Sequence, residues 1–276
     1  MDTSNKSTID RFNEAAERRF RLYLATQAGA DDSRRKPLGN LVEAPQLLYK
    51  FGLMLSAMNL KEGDRVLDFG AGAGWLARGL NHLGVEATGI DVSEAAVEFA
   101  RRVADEDPFV RADVPLKFVW YDGYTMPFAD GFFDQIACFD AFHHVPNKRR
   151  VFEEFQRVLR PSGLLTYVEP GGHHGESDQA KNETKEHGVL EDSISLEEIV
   201  TLASASGFGS ASVLPYPPPD RLRFDLDTLS KFLSGDDSVY PLRAVRRDLA
   251  YAFIATFTKG GASNGRLRRP WWRLWQ

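Results

Sequence analysis

Cysteine is almost missing from this sequence: Cys138 is the single one among 276 residues. One thiol closes no internal disulfide, so the fold is expected to stand on its core, in a reducing, cytoplasmic setting. No apolar run approaches the roughly 20 residues that cross a bilayer; "FGLMLSAMNL" is ten residues long. The opening "MDTSNKSTID" holds charges and no apolar centre, so a secretory signal is not expected. Basic excess is missing too. Lys and Arg total 34 against 39 Asp and Glu, a formal charge of −5, so no nucleic-acid partner is expected. No internal repeat is found.

What is present is an ordinary globular composition, 43% hydrophobic and 26% charged. A chain of this length buries roughly 70–75% of its unfolded surface. Ile9, Phe12, Ala16, Phe20 and Tyr23 recur at spacings of three and four, which predicts a helix over 9–24. "AGADDSRRKPLGN" (28–40) reads as a loop, and a second helix is expected over 44–59. From residue 65 strands and helices alternate. Strands are expected at 65–70, 86–91, 116–122, 134–140 and 164–170. Ser93 is a plausible N-cap for a helix beginning "SEAAVEFARRVA", with Glu94 in its first turn. "NKRRVFEEFQRVLR" (147–160) carries Val151, Phe152, Phe155, Val158 and Leu159 on one face and stops at Pro161 and Gly163. Alternation with apolar strands implies a parallel sheet covered on both faces.

Beyond residue 170 the rhythm changes. Residues 171–193 are polar and long for a connection. "SLEEIVTLASASGFG" reads as a helix, and "SASVLPY" and "YAFIATFTK" as two more strands. The expected organisation is an N-terminal helical cap (1–60), an α/β domain (61–260) and a tail (261–276). Insertions at 171–195 and 217–250 are the natural lid and specificity elements. The tail holds four Arg, no acid and three of the five Trp. Arg with Trp suits an anionic membrane surface or an acidic protein partner; the plainer reading is a tail that docks on its own domain.

"RVLDFGAGAGWL" (65–76) poses the functional question. A strand, a glycine turn and a helix place a ligand at the strand's C-terminal end. Dinucleotides want G-x-G-x-x-G, and Trp75 stands where the third glycine belongs. Asp68, two residues before Gly70, is a poor neighbour for a pyrophosphate and a good one for a cation.

These residues resemble the first motif of the class I S-adenosylmethionine (SAM)-dependent methyltransferases, hydrophobic-hydrophobic-Asp-x-Gly-x-Gly-x-Gly. "GIDVSEAAVEFAR" is similar to the second motif, "YDGYTMPFADGFFDQIACFDAFHHV" to the third and fourth, and "LRPSGLLTYVEP" to the turn into the fifth strand. The resemblance spans roughly 44–170 and the last two strands. It implies a doubly wound, Rossmann-like, mostly parallel seven-stranded sheet and SAM as cofactor, with S-adenosylhomocysteine as product. The implied contacts are Asp68, Gly70, Ala71, Gly72 and Gly74 at the turn, Asp91 and Val92 at the ribose, Asp122 and Gly123 at the adenine, and Phe139 and Asp140 after the fourth strand.

Methyl transfer needs an aligned acceptor and, for a hydroxyl, a base. His143, His144, His173 and His174 follow strands four and five, with Asp140 and Glu169 beside them. The candidate catalytic residues are His143, His144, His174 and Glu169; the plainer reading is that the histidines pack or line the pocket. No H-E-x-x-H spacing occurs, and no metal is expected. "VEPGGHHGES" and "EHGVLEDSIS" resemble methyltransferases linked to surface-polysaccharide assembly, through Glu169, Pro170, Gly171, His174 and Gly188 to Glu191. Gly175 departs from that pattern, where a serine belongs. The reading favoured is O-methylation of a small or glycan-linked hydroxyl. Rival readings are N- or C-methylation of a small molecule, a dehydrogenase, and a SAM-binding scaffold without catalysis.

Overall fold

The strand expected at 65–70 forms because Val66, Leu67, Asp68 and Phe69 are all buried, as a central strand with both faces covered requires. In a computed structural model of the chain, which describes residues 3–170, 173–216, 224–236, 238 and 253–260, this is β1 (Arg65–Phe69). The other strands are β2 (Glu86–Asp91), β3 (Leu116–Trp120), β4 (Phe133–Phe139), β5 (Leu159–Val168), β6 (Phe208–Pro215) and β7 (Phe253–Lys259). They make one seven-stranded sheet in the order β3-β2-β1-β4-β5-β7-β6. β1 to β5 pair in parallel, and β7 runs antiparallel between β5 and β6. The order reverses at the β1–β4 junction, where this class of sheet opens a ligand crevice.

Helices cover both faces. α3 (Ala44–Met58), α4 (Trp75–His82) and α5 (Glu94–Glu106) pack on one. There Leu47, Met54, Met58, Leu76, Leu80, Val97 and Ala100 close over Val66, Ala87 and Phe118. α6 (Lys148–Val158) and α8 (Leu196–Ala205) cover the other through Val151, Phe152, Phe155 and Ile199. Fully burying each large apolar side chain contributes about 1.5–3 kcal/mol, which is why these stripes fix the layers. α1 (Thr3–Leu24) lies outside α5, joined through Phe20 and Leu24 to Phe99 and Val103.

Two expectations are corrected. Residues 28–40 are not all loop: α2 (Gln27–Arg35) forms, because the Thr26 hydroxyl accepts from the Gly29 N–H and caps it. The strand expected at 164–170 begins at Leu159, directly after α6, because Leu159 already pairs with Phe133 on β4. The polar 171–193 segment carries α7 (Asp178–His187), capped by Ser177 and ended by Gly188 in the left-handed region. Within the 217–250 insertion the structure describes α9 (Leu226–Leu233). The Arg/Trp tail, 261–276, lies outside the described residues. No described helix is long and apolar enough to cross a membrane.

Candidate active site

At the C-terminal ends of β1 to β4 the turns open into a cavity of about 460 Å³, within the range of small-ligand sites. Its floor is Gly70, Ala71 and Gly72 after β1, with Asp91, Val92 and Ser93 after β2. Gly123 follows β3, and Phe139, Asp140 and Ala141 follow β4. The cavity therefore gathers eight of the eleven expected cofactor positions: Gly70, Ala71, Gly72, Asp91, Val92, Gly123, Phe139 and Asp140.

The floor depends on two glycines with positive φ. Gly70 has φ +71°, and a Cβ there would stand 2.4 Å from the Cβ of Ala141, so the two turns pack backbone against methyl. Gly72 has φ +52° and faces open space, with only Phe20 within 4 Å of a built Cβ. Asp91 braces the same turn. Its Oδ2 accepts from the Gly72 N–H and its Oδ1 from the Ser93 N–H, each at 2.8 Å. Burial pushes this carboxyl above its ordinary range, against the pull of those N–H groups. Each oxygen retains a lone pair, so the group can still accept from a diol.

Asp68 and Gly74 lie buried behind the wall instead, and Asp122 is exposed outside the lining. Asp68 is only 2% exposed, and its Oδ2 accepts from the Ala77 N–H at 3.1 Å. Its carboxylate meets the N-terminal turn of α4 and is not part of the cavity lining. Burial, reinforced by the charge of Asp91, pushes it up to about 7 while the Ala77 bond opposes. The acid before the turn thus holds the start of α4, and the carboxylates that line the cavity are Asp32, Glu43, Asp91, Asp140 and Glu183. Gly74 is the N-cap of α4 at φ 75°. Asp122 accepts from the N–H groups of Tyr124 and Thr125 at 2.9 and 3.3 Å, setting the bend around Gly123.

Among the candidate catalytic residues only His144 lines the cavity. Its Nδ1 pairs with the Leu190 carbonyl at 2.7 Å; that carbonyl must accept, so Nδ1 carries the proton and Nε2 keeps its lone pair. His144 is set deep in protein yet 43% of its side chain is open, and burial with the neighbouring His143 charge draws it down to about 4.

His143 and Glu169 turn away from the cavity. The Glu169 Oε1 accepts from the N–H groups of Ala141 and Phe142 at 2.9 and 2.7 Å, and its Oε2 meets His143 Nδ1 at 2.5 Å. Glu169 thereby holds the loop after β4 in place. Burial opposes charge on both partners, yet Glu169 holds His143 above its usual value and His143 with the backbone donors holds Glu169 below its own. His174 Nε2 meets the Glu191 carboxylate at 2.7 Å. Ligand atoms of His143, His174 and Glu191 lie within 4.8 Å of one another.

Two contributions escaped the sequence reading. α1 supplies cavity wall as well as a cap, through Phe12, Asn13, Phe20 and Tyr23. Asn13 donates to the Asp122 carbonyl at 2.8 Å, and Glu17 accepts from the Ser93 hydroxyl at 2.6 Å. Helical spacing announced the element, not which face would meet the strand ends. Lys50 on α3, 8% exposed, reaches both oxygens of Asp140 at 2.5 Å. A lysine inside an apolar helix stripe was the available signal.

Residues 67–167 match the family model described as a methyltransferase domain. Over 136 residues, 49% of this chain and 51% of that protein, the chain is 32% identical to the uncharacterized methyltransferase YcgJ of Bacillus subtilis. It is 38% identical to the 27-O-demethylrifamycin SV methyltransferase of Amycolatopsis mediterranei over 109 residues, 38% of each chain. The chain thus spans about half, or less, of the length of these relatives. The structure of Haemonchus contortus phosphoethanolamine N-methyltransferase 2 in complex with SAM superposes with a TM-score of 0.59, over 88% of this chain and 60% of that one, at 21% identity. That similarity establishes the shared fold.

Proposed function

As the chain belongs to the class I SAM-dependent methyltransferases, we propose that it methylates a hydroxyl on a small or glycan-linked acceptor. When bound, SAM supplies a methyl carbon already activated by its sulfonium. The residues that would hold it fit the chemistry. Asp91, half-buried in the cavity floor and bonded by backbone N–H groups, can accept from the ribose hydroxyls. Gly70 and Gly72 present bare backbone to the cavity. Gly123, at φ +82° and packed against Asn13 and Ile9, lines the cavity, where its backbone would meet the adenine edge.

The observation that carries the choice of oxygen is His144. A hydroxyl must lose a proton to become a methyl acceptor, and general bases contribute about 10²–10⁴-fold. His144 offers an unprotonated Nε2 in the cavity wall, oriented by the Leu190 carbonyl. The Amycolatopsis relative, by its name, also acts at oxygen. Leu190 and Val189 belong to the 171–195 insertion and line the cavity, so that insertion would shape acceptor choice. The helices of 1–60 would serve as its other wall. The Arg/Trp tail would add an anionic membrane or protein contact, read out as vesicle association lost on deleting 261–276.

The test is methyl transfer from labelled SAM to a panel of hydroxylated small molecules and saccharides, with amines as controls. His144→Gln should lower turnover at least about 100-fold and leave SAM affinity unchanged. Transfer confined to amines, or full turnover by His144→Gln, overturns the reading. Cofactor binding without transfer to any acceptor would favour the scaffold reading.

A further inference from the structure

Behind the cavity wall, three segments far apart in sequence converge on one point. His143 comes from the turn after β4 (Phe142–His144), His174 from the turn after β5 (His174–Glu176), and Glu191 from the irregular run after α7. His143 Nε2 stands 3.6 Å from a Glu191 oxygen, and His174 Nε2 stands 2.7 Å from the same oxygen. All three ligand atoms fall within 4.8 Å of one another.

We propose that His143, His174 and Glu191 bind one divalent transition-metal cation of the zinc class. Two imidazoles and one carboxylate make a known type of zinc ligand set with room for a fourth ligand. With metal–ligand bonds near 2.1 Å, tetrahedral ligand atoms lie about 3.4 Å apart. The His143–Glu191 separation already matches. The His174–Glu191 pair would open by about 0.7 Å as the ion replaces their hydrogen bond.

The tautomer is also set. His143 Nδ1 points at Glu169 Oε2 at 2.5 Å, so Nε2 is the nitrogen left for a cation. A carboxylate behind a ligating histidine is the usual supporting arrangement at such sites. Glu169 is itself fixed by the N–H groups of Ala141 and Phe142. Side-chain exposures of 6% for His143, 19% for His174 and 6% for Glu191 leave a narrow opening. Imidazole ligands favour zinc, cobalt or nickel over calcium or magnesium.

The ion would staple the 171–195 insertion to the ends of β4 and β5. Leu190, next to Glu191, lines the cavity and holds His144. Metal binding would therefore order the acceptor side of the pocket. Because it is read without SAM or acceptor, it can fail or succeed independently of the methyl-transfer reading.

The experiment is titration of chelator-treated full-length protein with Zn²⁺ against a chromophoric competitor, and with Co²⁺ by visible absorption. One equivalent should bind, with a four-coordinate Co²⁺ spectrum, and Zn²⁺ should raise the melting temperature. His174→Ala and Glu191→Gln should each weaken binding more than 100-fold, and Glu169→Gln by about 10–100-fold. His173→Ala, one residue away and outside the cluster, should bind like the unaltered protein. Circular dichroism checks that each variant is folded; His174→Ala, at a partly exposed turn, is the variant on which the decision rests. Absence of stoichiometric binding overturns the proposal, as does binding that survives both His174→Ala and Glu191→Gln.

Discussion

Gly72 donates its backbone N–H to the Asp91 carboxylate at 2.8 Å, so the turns after β1 and β2 are fastened to each other at the cavity floor. The same carboxylate holds the Ser93 N–H, two residues along its own chain. One half-buried acid therefore shapes the glycine turn and keeps lone pairs open to a ligand. Asp91→Ala should weaken SAM binding by more than about 1.5 kcal/mol, the scale of hydrogen bonds to a charged group. Calorimetry with S-adenosylhomocysteine measures it, and an unchanged affinity would remove Asp91 from the site.

Gly70→Ala tests the packing of the turns. The added methyl would stand 2.4 Å from the Ala141 Cβ, at a φ of +71° that side chains rarely adopt. Overpacking and left-handed backbone together should cost about 2–4 kcal/mol. Urea unfolding should show that loss, and the cavity loop after β4 should shift with it. Gly63→Ala has a positive φ but nothing within 4 Å, and should cost only about 1–2 kcal/mol.

Arg78 and Asp107 join α4 to the end of α5 at 2.8 Å, each with 9% of its side chain exposed. Burial would raise the Asp107 carboxyl, but the Phe109 N–H, Arg78 and His82 outweigh it and hold it below its ordinary value. A depressed carboxyl stabilises the fold above its unfolded pKa, about 3.9, and loses that contribution as pH falls through the folded value. Asp107→Asn should therefore cost about 1.5–3 kcal/mol at pH 7. The gap from the unaltered protein should narrow as pH is lowered below about 4, measured by denaturant unfolding at several pH values.

Lys50 and Asp140 tie α3 to the end of β4, with Asp140 in the cavity wall at φ 47°. Lys50→Met keeps an apolar stem of similar length and removes the ammonium, whose Nζ stands 4.9 Å from the centre of the Phe139 ring. Asp140 is then left without its ammonium, at a cost of about 1.5–3 kcal/mol. The melting temperature should fall, and SAM affinity should change with it. Equal stability would mean that water replaces the ammonium at no cost.

The sheet was legible because its central strands β1 and β4 are buried on both faces and read as apolar runs bounded by Gly, Asp and Pro. α2 was not, because its sequence, "QAGADDSRR", has a loop's composition and depends on the Thr26 cap. Strand and turn spacing located the cavity floor through Gly70, Gly72, Asp91 and Gly123. Side-chain direction was the hidden part. Asp68 is next to the turn in sequence yet points at the Ala77 N–H. Of the adjacent pair, His143 turns inward to Glu169 and His144 outward to the cavity. No spacing rule separates two neighbours in a short 3-10 turn. Lys50, Asn13 and Glu191 reach their places only through tertiary packing, over separations in sequence of 90 residues for Lys50–Asp140 and 109 for Asn13–Asp122.

The central claim is that the cavity above β1 and β2 holds SAM and not a nicotinamide dinucleotide. Isothermal titration of the full chain with SAM, S-adenosylhomocysteine and NAD decides it. Saturable 1:1 binding of both adenosyl ligands, lost in Asp91→Ala, with no heat from NAD, is the predicted result. Tight NAD binding that Asp91→Ala removes, with neither adenosyl ligand bound, would contradict it.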